Sequence, residues 1–166
     1  MKKLLIIDVQ KGFINENNAD LIEKIENLIK NEKFDKVYAT QFKNFSKSQY
    51  GSWLNWTALK SKTEQKLPKS IEKSVDAIIE KTSYALPDDQ LKKYFCKDDE
   101  VYLCGTDYDA CVLAVAFQLF DNEIRPYVIL DCVGSHSNLP ISKKSFEKMC
   151  IKNFGKNSII KKKKGC

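Results

Sequence analysis

Histidine and arginine are nearly absent from this chain of 166 residues: each occurs once, as His136 and Arg125. One imidazole cannot build a metal centre that needs several histidines. One guanidinium argues against a protein that reads nucleic-acid sequence, because bidentate contacts to bases are made mostly by arginine. Long apolar runs are missing too. A membrane-spanning helix needs roughly 20 consecutive apolar residues, and no stretch here comes near that. The opening segment, MKKLLIIDVQ, is apolar only from Leu4 to Ile7 before Asp8 interrupts. That is too short for the apolar region of a signal peptide. The segment reads as a first strand, and the expected location is cytoplasmic.

Several familiar signatures are also lacking. The six cysteines, Cys96, Cys104, Cys111, Cys132, Cys150 and Cys166, include no Cys-x-x-Cys pair and no zinc-ligand spacing. Without a secretion signal most are expected to be reduced, several of them as small hydrophobes in apolar surroundings. No G-x-G-x-x-G or G-x-x-x-x-G-K-[ST] loop is present; CGTDYDAC has one glycine, and its carboxylates would repel phosphate. The GSHS stretch lacks the second glycine of a serine nucleophile elbow. No arginine follows Cys104 or Cys111 six positions on, which counts against a phosphatase loop.

What remains is an ordinary soluble composition, 43% apolar and 30% charged, long enough for one domain with a substantial core. The net charge of +6 is almost all lysine. The expected organisation is a single domain over residues 1–161 and a Lys-rich tail over 162–166, the tail a solvated end because like-charge blocks repel. No internal repeat or linker is visible.

Strand and helix patterns alternate along the chain. Residues 2–8 read as a buried strand, and 20–34 as a helix with Leu21, Ile25, Leu28 and Ile29 on one face and Asp20 as N-cap. Residues 36–40 form a second strand. An aromatic excursion over 41–66 follows, with a helical turn expected near 57–62; so long a connection is usually functional or disordered, and its aromatic content argues against disorder. Further strands are expected at 74–80, 100–104, 125–131 and 157–161, and further helices at 87–95, 109–120 and 141–154. This alternation predicts an α/β fold: three layers, doubly wound, with a six-stranded, mostly parallel sheet and helices on both faces.

Three residues stand out against that pattern. Asp8 ends the first strand, Lys81 follows the third, and Cys111 opens the helix after the fourth. In open α/β sheets ligands bind outside the carboxyl ends of the strands, so all three project towards one edge. If Asp109 caps its helix, Cys111 falls in the first turn, where the dipole and a cation such as Lys81 favour the thiolate. Asp8 is placed to take the thiol proton and return it to a leaving amine. The backbone of GTDYDAC is suited to aim N–H groups at an oxyanion. Each residue alone has a plainer reading: a packed thiol, a turn aspartate, a solvated lysine. Only the combination points to attack on a carbonyl or related carbon.

The segments LLIIDVQKGF, EKTSYAL and CGTDYDACVLAVA resemble, in order, the three signature segments of the isochorismatase-like cysteine hydrolases. That superfamily includes nicotinamidases and N-carbamoylsarcosine amidases, and the resemblance spans essentially the whole chain. It implies a catalytic triad of Asp8, Lys81 and Cys111, and a six-stranded parallel sheet. It also implies a cis peptide between Thr106 and Asp107, and an oxyanion hole made by the backbone N–H groups of Asp107 and Cys111. Phe42 and Asn44 stand where nicotinamidases carry their metal motif, so the chain looks like the metal-free branch, with no metal and no cofactor expected. Gln10, Phe13, Phe42, Trp53, Trp56, Tyr84 and His136 are the candidate pocket residues. The implied activity is cleavage of a C–N bond in a small amide, ureido or carbamoyl compound, through a thioester on Cys111. The alternative is a non-catalytic binding or scaffold protein that keeps the fold. The expected partner is a small-molecule substrate, with neither nucleic acid nor membrane. Family members are often dimers or larger, which adds a homo-oligomer to the expectations.

Overall fold

The sheet is read most easily from its first strand. In β1 (Lys2–Ile7) every residue after Lys2 is buried. A strand covered on both faces shows a continuous apolar run in place of alternation. Successive side chains nonetheless point to opposite faces: Leu5 and Ile7 join one core cluster, Leu4 and Ile6 the other. The computed structural model describes residues 1–161, so the expected lysine tail lies outside the described residues.

β1 lies between β2 (Lys36–Phe42) and β4 (Glu100–Gly105), with β3 (Ala77–Lys81) beyond β2. On the other side β5 (Pro126–Val133) and β6 (Ile159–Ile160) complete the order β3-β2-β1-β4-β5-β6. Every pair is parallel. The strand order therefore reverses between β1 and β4.

Two helix layers cover the sheet. α1 (Leu21–Asn31) buries Leu21, Ile25 and Leu28 on one face, joined there by Ile71 of α3 (Lys69–Glu72). The opposite face takes Leu91 of α4 (Asp88–Tyr94), Val115, Ala116 and Leu119 of α5 (Leu113–Asp121), and Phe146, Cys150 and Phe154 of α6 (Lys143–Phe154). Each fully buried Leu, Ile, Val or Phe is worth roughly 1.5–3 kcal/mol of burial, so these two layers hold the sheet together. The expected α/β three-layer sheet is the observed one.

Local expectations fared unevenly. Asp20 does not cap α1; its carboxylate pairs with Lys24 at 2.5 Å. No helix forms over 57–62. The helix of the excursion is instead α2 (Gln49–Leu54), where Ser48 Oγ accepts the Gly51 N–H. β3 starts three residues later than expected, because Asp76 is spent as a clamp. Its carboxylate accepts the Val37 N–H and pairs with Lys36, both at 2.8 Å. A third, small cluster of Phe13, Phe42, Tyr50 and Leu59, with Trp56 against it, folds the excursion over the carboxyl ends of the strands.

Candidate active site

Gly105, the last residue of β4, fixes how closely the two central strands meet at their carboxyl ends. Its φ is +115°, and a Cβ there would lie 2.1 Å from the Ile7 carbonyl oxygen, so only glycine fits. From this junction β1 leads into Asp8 and β4 into the segment that carries Cys111.

Asp8 is fully buried, with a left-handed φ of 50° that aspartate tolerates better than most residues. Its N–H donates to Thr40 Oγ1 at 2.9 Å, and the Thr40 hydroxyl donates back to Oδ1 at 2.5 Å. The second oxygen, Oδ2, is ion-paired to Lys81 Nζ at 2.7 Å. Lys81 starts two strands away, and its long stem carries the ammonium past Phe42, whose ring centroid is 5.2 Å from Nζ. Nζ donates to the carbonyls of Ser83 at 2.8 Å and Tyr84 at 3.2 Å, and reaches Cys111 Sγ at 3.5 Å. Burial alone would lower the Lys81 pKa, but the Asp8 carboxylate and then the Cys111 sulfur outweigh it, and the net shift is upward. Lys81 is an ammonium. The three residues that the sequence places at separate strand ends are thus brought together in one buried cluster.

Cys111 does not sit in the first turn of an α-helix capped by Asp109. It lies in a π-helical turn, Tyr108–Val112, in which the Asp107 carbonyl accepts the N–H groups of Ala110 at 3.2 Å and Val112 at 3.0 Å. Asp109 turns away and accepts the Ile141 N–H at 3.1 Å. Such turns occur often at functional sites. The expected thiolate is also corrected. Burial pushes the Cys111 thiol well above its ordinary value, Asp8 adds to the rise, and Lys81 opposes it without prevailing. The raised value favours the protonated S–H. The Thr106–Asp107 peptide bond is cis.

A cavity of about 390 Å³ opens on Cys111. Phe13, Phe42, Trp56, Tyr84 and His136 line it, as does Tyr50, which sequence reasoning missed. Phe13 stacks on Trp56 with centroids 5.8 Å apart, and Phe42 meets Tyr50 edge-on at 5.1 Å. Two expected lining residues are elsewhere. Trp53 is 83% exposed on α2, pointing away from the cavity-lining cluster. Gln10 is fully buried and holds the chain: Nε2 donates to the Phe42 and Gln65 carbonyls, and Oε1 accepts the Phe42 N–H at 2.7 Å. Thr40, fully buried on β2, was also missed.

The carboxylate of Asp107, considered above only for its backbone, is tied to His136. Nδ1 of His136 lies 2.5 Å from Oδ2, and the His136 N–H donates to Oδ1 at 2.7 Å. The Thr106 hydroxyl also donates to Oδ1, at 2.5 Å. The bond to Asp107 raises the His136 pKa against the opposing effect of burial. Burial works to raise Asp107, but His136 and Thr106 prevail and hold its carboxyl below the ordinary value.

The end of β2 does not offer a metal site. Phe42 has no donor atom. The Asn44 amide is spent on the Ala58 carbonyl, the Phe45 N–H and the Ser48 hydroxyl. Among the described residues no group of three or more His, Cys, Asp or Glu side chains is gathered to hold a metal ion. Among them, too, no helix is long and apolar enough to cross a membrane.

No curated protein matches the chain. Solved structures match its fold closely. Yeast nicotinamidase bound to the inhibitor nicotinaldehyde gives a TM-score of 0.79 at 18% identity, over 98% of this chain and 100% of that one. N-carbamoylsarcosine amidase from Thermoplasma acidophilum gives 0.75 at 17% identity, over 99% and 97%. The nicotinamidase/pyrazinamidase of Bacillus subtilis gives 0.70 at 18% identity, over 95% and 98%. The isochorismatase domain matches residues 2–156, nearly the whole of the sheet and its helices. The chain therefore belongs to the isochorismatase family and is an isochorismatase-like hydrolase.

Proposed function

We propose that the protein cleaves a C–N bond of a small amide, ureido or carbamoyl compound, with Cys111 as nucleophile and Asp8 as its base. The observation that carries this reading is the buried cluster itself: the Asp8 carboxylate lies 2.7 Å from the Lys81 ammonium, which also reaches Cys111 Sγ at 3.5 Å. A buried carboxylate held by an ammonium beside a thiol is placed to take the thiol proton as general base.

The steps balance as follows. The Cys111 S–H proton moves to Asp8 while sulfur forms a bond to the carbonyl carbon and the C=O electron pair moves onto oxygen. The backbone N–H groups of Asp107 and Cys111 are the proposed donors to that oxyanion. The oxyanion then re-forms its carbonyl, the C–N bond breaks, and Asp8 returns its proton to the leaving amine, leaving a thioester. Water attacks the thioester and gives one proton to Asp8. The C–S bond breaks, Asp8 returns that proton to sulfur, and the acid leaves, the amine or ammonia having departed when the thioester formed. Lys81 stays an ammonium and stabilises Asp8 whenever the carboxylate is charged. The aromatic lining suits a flat or apolar substituent on the substrate. Neighbours in fold named as amidases are consistent with this chemistry.

The test is an ammonia-release screen over small amides and ureido compounds, run with wild type and with Cys111→Ala. Release by wild type and none by the variant is the expected result. Equal release by both would remove Cys111 from the mechanism.

A further inference from the structure

Asp107 brings a negative charge to the place where the proposed reaction builds another. Its backbone N–H is one of the two amides offered to the oxyanion, while its carboxylate, 10% exposed, lines the same cavity as Cys111. The same carboxylate is one of the groups that hold the proton on Cys111, after burial and Asp8. Left bare, it would oppose both the sulfur anion and the oxyanion.

The loop after β5 answers this charge. His136 approaches Asp107 with two nitrogens, Nδ1 at 2.5 Å from one oxygen and the backbone N–H at 2.7 Å from the other. The imidazole is held in turn from other segments. Its ring meets Phe13 edge-on at 5.1 Å and Trp56 at 6.3 Å, and Asn15 Nδ2 donates to the His136 carbonyl at 2.8 Å. The charged groups that face it are Asp107 and Asp109, both of which favour the imidazolium.

We propose that His136 is a positioning residue: its imidazolium pins and neutralises the Asp107 carboxylate, so that the carbon under attack at Cys111 meets donors and no uncompensated negative charge. This rests on the proposed thiol chemistry, but its test needs no substrate. The imidazolium is present at low pH and is lost as pH rises through the raised value of His136. Any loss of screening in a His136 variant therefore appears on the acid side alone.

The experiment follows iodoacetamide alkylation of Cys111 by peptide mass spectrometry across pH, in wild type, His136→Asn and the double variant Asp107→Asn/His136→Asn. At about pH 6, His136→Asn is expected to react about tenfold more slowly than wild type, the effect of one unit in the thiol pKa. The gap should close towards about pH 10, where wild-type His136 is neutral. The double variant should lose the acid-side defect, because the charge that needed screening is gone. A merely structural role would slow alkylation at every pH and show no rescue. Wild-type rates in His136→Asn at about pH 6, or a double variant as slow as the single, overturn the proposal. Should circular dichroism show His136→Asn unfolded, Asp107→Asn alone decides. Faster alkylation than wild type at about pH 10 supports the proposal, and an unchanged or slower rate overturns it. Failure of the ammonia-release screen would defeat the proposed activity without moving these rates.

Discussion

Two buried lysine–carboxylate pairs stand at opposite edges of the same sheet, and they are built for different ends. At the amino edge Lys3 Nζ lies 2.6 Å from Asp99 Oδ2 and also donates to the Tyr94 carbonyl at 2.8 Å. Asp99 Oδ2 accepts the Cys96 N–H as well, and Oδ1 faces the N-terminal ammonium at 3.4 Å. Every polar atom of that pair has a partner, as buried charges require. At the carboxyl edge Lys81 and Asp8 lie just as close, with both side chains fully buried, and Lys81 Nζ also reaches Cys111 Sγ at 3.5 Å. The first pair locks a turn. The second lies beside a thiol. Burial and charge are the same in kind; what differs is the neighbour, a backbone turn beside the first pair and a thiol beside the second.

The comparison breaks most sharply at Asp8. Asp8→Asn should lower turnover of whichever amide the screen identifies by roughly 10²–10⁴-fold, the usual worth of a positioned acid–base group. Asp99→Asn should leave turnover per folded molecule at the wild-type value, and a shared loss would erase the distinction. Stability is the next readout. Lys3→Met leaves the buried Asp99 charge with only the N-terminal ammonium at 3.4 Å, so urea unfolding should show a loss of up to roughly 3–5 kcal/mol with turnover intact.

Acid provides a finer probe. Burial pushes the Asp99 carboxyl up, but Lys3 and the Cys96 N–H prevail and hold it below its ordinary 3.8. With the folded value depressed, the pair's contribution is fully present above the unfolded value and is lost as pH falls through the folded one. Urea midpoints of wild type should therefore fall more steeply than those of Asp99→Asn below about pH 4, and parallel curves would contradict the assignment. The smallest effect is expected at Trp53. Removing this exposed ring should change stability by no more than about 0.5 kcal/mol and leave KM alone. Trp56→Ala, which removes the partner stacked on Phe13, should raise KM.

Asp8, Lys81 and Cys111 were legible because each interrupts or ends an apolar run, and strand ends of a parallel sheet share an edge. What could not be read was the state of the sulfur. Position on a helix suggested a thiolate, whereas burial and the facing carboxylate, both tertiary, keep the proton on. The two tryptophans show the same limit on a smaller scale. They are three residues apart in an aromatic stretch and look alike in sequence. Asn55, between them, adopts a left-handed conformation that ends α2, so Trp53 stays outside while Trp56 turns into the cavity wall. Gln10 misled for a related reason: it follows the site aspartate, but its amide is consumed by the Phe42 and Gln65 backbone. Thr40 and the Asp107–His136 contact join residues 32 and 29 positions apart, and no local pattern encodes such pairs.

The missing methyl group at position 105 has a reach beyond its own turn. Because the backbones of β1 and β4 touch there, the arms bearing carboxylate and sulfur diverge from a common root, and the gap between those atoms is set before either side chain chooses a rotamer. Alanine at that point would act as a wedge, spreading the arms and drawing the carboxylate away from the sulfur with both side chains still present.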